Sequence, residues 1–145
     1  MDSERELLAA QTGLRSRFDD FRSALERREE EASRLALADF HKHLCRWTAA
    51  EERVLLPVLA RASFPDRDPQ HELKLEYVQI RELTRYLESQ IAEHAPLSDV
   101  LGLVENLERR LAAHESEMEK IYYPAGAPML TADDWQRLTE AAPPK

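Results

Sequence analysis

Apolar side chains recur every three or four residues along four long stretches of this chain, which is the spacing of amphipathic α-helices. The stretches cover residues 3–28, 32–62, 69–94 and 98–123. Between the second and third stretches, the segment 63–69, "SFPDRDP", carries the strongest loop signal. Four such helices with short connections predict an all-α, up-down-up-down four-helix bundle that forms a single domain over residues 1–145.

Local signals refine the ends of these helices. Pro57 should kink or stop the second helix and Pro124 should end the fourth, because proline lacks an N–H donor and its ring collides with the preceding turn. Thr131 precedes an acidic first turn, which predicts a short C-terminal helix. The final segment 142–145, "APPK", is expected to fray.

The two halves of the chain resemble each other. The segment "EERVLLP" at residues 51–57 aligns with "MEKIYYP" at residues 118–124. The starts of the first and third helices align at nearly the same spacing, with Gln11 matching Tyr77 and Arg15 matching Arg81. We interpret the bundle as two copies of one helical hairpin, which bury each other's apolar stripes.

One polar residue interrupts the apolar stripe of each helix. These residues are Gln11, Glu51, Tyr77 and His114. Two lie near the starts of the first and third helices and two near the ends of the second and fourth, so an up-down bundle brings them to the same end. Because an unpaired buried polar group costs roughly 1–3 kcal/mol, we expect a core hydrogen-bond network in which Tyr77, His114 and the Gln11 amide donate to Glu51.

Composition narrows the class of protein. Hydrophobic residues make up 43% and charged residues 33% of the chain, which is typical of a soluble globular protein. The net charge of −8 argues against a nucleic-acid partner, and no apolar run approaches the roughly 20 residues that span a bilayer. The N-terminus lacks a secretory signal, so a cytoplasmic location and no membrane contact are expected. The single cysteine, Cys45, is interpreted as a free thiol.

Two segments carry a resemblance to a known family. "AAEERVLLPVL" and "LAAHESEMEKIYYP" resemble the hemerythrin-like (HHE cation-binding) family, and the likeness extends over about residues 5–140. The resemblance implies a di-iron site, with a His on the first helix, His-x3-Glu on the second, one or two His on the third, and His-x3-Glu or His-x3-Asp on the fourth. Family functions implied by such a site are oxygen, nitric oxide or iron handling.

Most of the implied ligand positions hold other residues in this chain. In helix order, the positions fall on Gln11, Trp47, Glu51, Leu73, Tyr77, His114 and Met118. Only Glu51 and His114 keep a ligand of the family's type, and Trp47 and Met118 should fill the space of the irons. We therefore expect a degenerate site with no metal and no other cofactor.

Three functional hypotheses follow. The first is a metal-free bundle acting as an interaction or sensory module. The second is an iron-binding protein with a remodelled site, in which Tyr77 joins Glu51 and His114 as a substitute ligand. The third is an enzyme using Glu51 and His114 as an acid–base pair, which we do not favour because no nucleophile or phosphate loop is visible.

Two groups of residues have plainer interpretations. Four further histidines are expected on the surface or at helix ends: His41, His43, His71 and His94. Four leucines lie partly outside the stripes and either widen the core or form a protein partner or homodimer contact: Leu8, Leu37, Leu83 and Leu103.

Overall fold

The computed structural model describes residues 3–144, and its main elements are helices. The long helices are α1 (Ser3–Glu26), α2 (Glu30–Ala50), α3 (Pro69–Ala92) and α4 (Leu97–Glu117), and the short C-terminal helix is α5 (Ala132–Ala141). Within residues 3–144 there is no strand. The predicted all-α bundle with a short C-terminal helix is confirmed.

The four long helices pack around one apolar core. Helix α1 lies against α2, α2 against α3, and α3 against α4. Ion pairs between Arg15 on α1 and both Glu108 and Glu115 on α4 close the ring. The largest fully buried apolar side chains include Phe18, Phe21, Phe40, Leu7, Leu44 and Leu55. Burial of these stripes provides the main driving force for the fold.

The ends of α2 and α4 are wound more widely than an α-helix. After α2 comes a π-helical segment, Glu51–Leu55, and after α4 a second one, Met118–Tyr122. Each is followed by a four-residue helix, Leu56–Leu59 and Tyr123–Gly126, with a proline at its second position. Proline has no N–H to donate to the carbonyl four residues earlier, and its ring collides with that turn. The wider π-helical turn accommodates the ring, so the chain remains helical beyond the proline. The prediction that Pro124 ends the fourth helix is therefore wrong.

The two hairpins repeat each other in backbone detail. Arg28 and His94, which occupy equivalent positions in the two hairpin turns, both adopt left-handed φ angles, of 57° and 56°. In each turn, the next residue donates its N–H to a carbonyl five positions earlier, at 3.0 Å. This is the Schellman arrangement that ends helices. The repeated π-helical segments and turns support the interpretation of a duplicated hairpin.

The C-terminal segment is held more firmly than the sequence suggests. Thr131 caps α5 through a reciprocal bond with Asp134, as its sequence predicts. Beyond the helix, Pro143 is buried and the Pro144 carbonyl accepts a hydrogen bond from Arg17. The expectation of a frayed tail is wrong for residues 142–144, because α1 supplies both an apolar contact and a donor; Lys145 lies outside the described residues.

The leucines at the margins of the stripes widen the core. Leu37 is fully buried, and Leu8, Leu83 and Leu103 pack partly buried against the core cluster. None of the helices within residues 3–144 is both long enough and apolar enough to cross a membrane.

Gly126 lies where the ends of the two hairpins pack tightly against each other. A Cβ there would lie 2.8 Å from Leu55 Cδ1 and 3.3 Å from Leu59 Cδ2, and both leucines are fully buried. We predict that Gly126→Ala lowers the free energy of unfolding by about 1–3 kcal/mol through overpacking. Urea denaturation monitored by circular dichroism measures this change.

Gly102→Ala is the matched control, because a Cβ at this exposed position of α4 meets no atom within 4 Å. It should raise the free energy of unfolding by about 1 kcal/mol through helix propensity alone. Equal effects of the two substitutions would contradict the packing described here.

Candidate functional site

Glu51 is the buried carboxyl group at the centre of the site. It lies at the first position of the π-helical segment that follows α2, and its side chain is only 1% exposed. Its Oε2 accepts a hydrogen bond from the Tyr123 hydroxyl at 3.0 Å. Burial raises the pKa of Glu51 to about 7, against the opposing effects of the His114 charge and the tyrosine hydroxyls. The carboxyl group therefore keeps its proton to a higher pH than an exposed glutamate does.

His114 is held by a second carboxylate. Its Nδ1 lies 2.7 Å from Glu76 Oε1, and its ring meets the Tyr77 ring edge-on with centroids 5.4 Å apart. Burial by itself would lower the pKa of His114, but the hydrogen bond with Glu76 and the charge of Glu51 outweigh it, so the pKa is raised. The imidazole is therefore stabilised as a cation between two acidic groups.

The other two polar residues contribute differently from what the sequence predicts. Gln11 Nε2 donates to the Glu115 carbonyl of α4 at 3.2 Å and does not reach Glu51. Tyr77 is fully buried, and its hydroxyl makes no hydrogen bond with any residue of the described chain, although its proximity lowers the pKa of Glu51. Of the three expected donors to Glu51, Gln11 and His114 bond to other groups, and the hydroxyl that donates to Glu51 at 3.0 Å is that of Tyr123.

A small cavity lies beside these side chains. Trp47 is 3% exposed and Met118 is fully buried, and both belong to the core cluster. The cavity has a volume of about 20 Å³, and the polar residues lining it are Gln11, Arg15, Thr48, Glu51, His114 and Glu115. Such a volume accommodates about one water molecule.

The remaining histidines and the cysteine lie away from this cavity. His41 pairs with Glu88, and His71 and His94 are exposed. The surface interpretation of His43 is wrong: it is only 7% exposed, because the packing of α1 covers that edge of α2. Burial lowers the pKa of His43 and raises that of the partly buried Cys45 thiol.

Comparison with known proteins identifies the family. Residues 4–126 match the family described as Hemerythrin HHE cation binding domain. The chain belongs to this family. Neither a curated protein nor a solved structure matches it.

The donor set of this hemerythrin-family chain does not fit two irons. Within residues 3–144, no group of three or more His, Cys, Asp or Glu side chains is arranged to hold a metal ion. Glu51 and His114 are the retained ligand types, and they come from different halves of the bundle. An indole at position 47 and a thioether at position 118 offer no ligand suited to non-haem iron. The residues present therefore do not support di-iron chemistry.

Sequence periodicity missed Tyr123 for a definite reason. In a regular α-helix each residue advances about 100° around the axis, which would turn Tyr123 away from the His114 stripe. The π-helical segment inserts one extra residue into the turn, so Tyr123 rotates back into the core. Pro124 was the one feature of the sequence that could have indicated the π-helical turn before it. Glu76 was missed because a charged residue beside the stripe usually faces solvent.

The raised pKa of Glu51 predicts a pH-dependent stability. Between its ordinary value of 4.5 and its folded value of about 7, the folded chain retains a proton that the unfolded chain has lost. This stabilisation is complete below pH 4.5 and is lost as the pH rises to about 7. Glu51→Gln should therefore be stabilising at pH 8, by up to about 3 kcal/mol, and neutral at pH 4.5.

Urea unfolding at the two pH values measures the difference. Glu119→Gln is the control, because it makes the same chemical change at an exposed carboxylate of the other π-helical segment. The same pH dependence in Glu51→Gln and wild type would show that Glu51 titrates normally.

The Tyr123 hydroxyl offers a second test. Tyr123→Phe removes the hydrogen-bond donor to Glu51, so we expect a loss of about 1–3 kcal/mol at pH 8 and a further rise in the pKa of Glu51. Denaturation and a carboxyl-carbon NMR titration measure the two effects.

Tyr122→Phe makes the same chemical change at the preceding residue and serves as the control. The Tyr122 hydroxyl contacts Arg67 and Glu72, whose side chains are about 40% exposed and stay hydrated without it. A larger loss for Tyr122→Phe than for Tyr123→Phe would place the critical hydrogen bond elsewhere.

Proposed function

We propose that this hemerythrin-family bundle works without a metal, as an interaction or sensory module in the cytoplasm. The observation that carries the proposal is the filled ligand layer. Trp47 and Met118 are buried at positions where the family implies iron ligands, and the cavity that Trp47 lines has a volume of only about 20 Å³. Two irons with their bridging atoms need far more room than one water molecule.

The partners of the retained ligand types also support this proposal. Glu51 is hydrogen-bonded by Tyr123, and His114 is paired with Glu76. A bound metal requires a deprotonated carboxylate and a neutral imidazole. Here the pKa values of both groups are raised, which opposes the deprotonated forms that a metal requires. Tyr123 and Glu76 thus provide the bonding partners that a metal would provide for Glu51 and His114.

We further propose that the module is not an enzyme. Glu51 and His114 could exchange a proton, but catalysis also needs space for a substrate beside them. Pockets for small molecules are typically about 300–1,000 Å³, and this cavity is more than tenfold smaller. That volume favours a binding surface on the outside of the bundle.

One observation favours the alternative of a remodelled iron site. The fully buried Tyr77 hydroxyl has no hydrogen-bond partner within residues 3–144 and lies close enough to Glu51 to lower its pKa. A phenolate oxygen, a carboxylate and an imidazole are acceptable ligands for one iron ion. This arrangement would serve oxygen, nitric oxide or iron handling.

Elemental analysis of protein expressed in iron-rich medium separates the two functions. The metal-free proposal predicts well under one iron per chain and no visible absorption band, before and after anaerobic addition of ferrous iron. About one iron per chain, lost in Tyr77→Phe, would establish the alternative instead.

A variant with restored ligands is the positive control. Gln11→His, Trp47→His, Leu73→His, Tyr77→His and Met118→Glu together rebuild the family's ligand set on the same backbone. The variant should take up iron if the missing side chains alone prevent binding. Iron uptake by the wild type equal to that of the variant would end the metal-free proposal.

A further inference from the structure

The segment that follows α5 is rich in proline and begins with an extended backbone. Ala142 has φ −65° and ψ 140°, close to polyproline II values, and Pro143 and Pro144 continue the chain. Pro143 is buried although it lies outside every helix. A polyproline II segment has no internal hydrogen bonds, so its carbonyls are available to a receptor.

Gly13 on α1 provides the surface on which this segment lies. A Cβ at Gly13 would be 3.7 Å from Pro143 Cβ, which is ordinary contact distance. Glycine within a helix costs about 1 kcal/mol relative to alanine. Because Gly13 has no side chain, the surface of α1 is shallow at this point, and the Pro143 ring lies over it.

Arg17, one helical turn further along α1, binds the backbone of the segment. Its Nη2 donates to the Pro144 carbonyl at 2.8 Å, and its Nη1 donates to the Gly13 carbonyl at 3.0 Å. Its Nε lies 3.3 Å from Asp39 Oδ2 on α2. These contacts hold the guanidinium in place beside Gly13.

Asp39 is fixed in turn by α2. Its Oδ1 lies 3.4 Å from Nε2 of the buried His43, one turn along the same helix. The Arg17 guanidinium is therefore contacted from α1 and α2 as well as from the tail. We call the surface formed by Gly13, Arg17, Asp39 and His43 the tail groove.

We propose that the tail groove is a docking site for extended, proline-containing segments, and that residues 142–144 occupy it as an intramolecular plug. The recognised features are one buried proline ring and one backbone carbonyl, so a partner's segment with two adjacent prolines fits equally well. This inference deepens the proposed interaction role and rests on it, because it names the class of partner.

The plug has a predictable effect on binding. A tethered segment competes at an effective concentration in the millimolar range, so a free segment must displace it before binding. Partner binding is then weak while the tail is docked and stronger once the tail is released.

NMR titration of the full-length chain tests the proposal. The probe is the acetylated and amidated peptide TEAAPP, which copies residues 139–144, and the control peptide is TEAASS. The Pro143→Ser/Pro144→Ser double variant weakens the plug without shortening the chain. We expect TEAAPP to shift the amide signals of Gly13 and Arg17 in this variant, with binding at least roughly tenfold tighter than in wild type.

Two further substitutions in the double variant test the groove itself. Gly13→Leu should abolish peptide binding by filling the shallow place, whereas Gly13→Ala should preserve it, since its Cβ makes only ordinary contact. Arg17→Gln should weaken binding about tenfold through loss of the charged donor. The dispersion of each amide spectrum shows whether that variant is folded.

Equal shifts with TEAAPP and TEAASS, or no shift with either peptide, would overturn the inference. Iron analysis of the same samples keeps the two proposals apart. An iron-loaded chain that binds TEAAPP contradicts the metal-free function alone, whereas an iron-free chain that ignores the peptide contradicts the docking site alone.

Discussion

The buried carboxyl group of Glu51 is the constraint around which this bundle is built. An ionised carboxylate cannot stay in a helix-bundle core without a partner, because its desolvation costs several kcal/mol. In the hemerythrin family, the resemblance implies a metal as that partner. This chain instead provides the Tyr123 hydroxyl at 3.0 Å and a pKa near 7 that permits protonation. Both depend on the π-helical segments, which carry Glu51 and rotate Tyr123 into the core.

Comparison of the two similar hairpins shows that each retains a different ligand type at the site. Equivalent positions of the two halves hold Trp47 opposite His114, and Glu51 opposite Met118. Each half has thus kept one ligand type and replaced the other with a bulky apolar side chain. The positive charge of the retained His114 is balanced by Glu76, a carboxylate from the neighbouring helix. The outcome is a packed polar layer beside a small cavity of about 20 Å³.

The outer surface carries a feature that links fold and proposed function. The C-terminal segment crosses α1 at Gly13 and is bound by Arg17, which Asp39 holds from α2. A groove that accepts a backbone carbonyl and a proline ring recognises conformation more than sequence. The cavity beside Glu51 and His114, by contrast, has room for about one water molecule.

The sequence by itself determined the four long helices, the short C-terminal helix and their order, because these follow from local periodicity, prolines and caps. It also identified Glu51 and His114 as the retained ligand types. Only the tertiary structure decided which groups bond to them. Tyr123 depends on the extra residue of a π-helical turn, and Glu76 and the docked tail depend on contacts between segments distant in the chain. Such pairings are set by how the helices pack, and no pattern along a single helix records them.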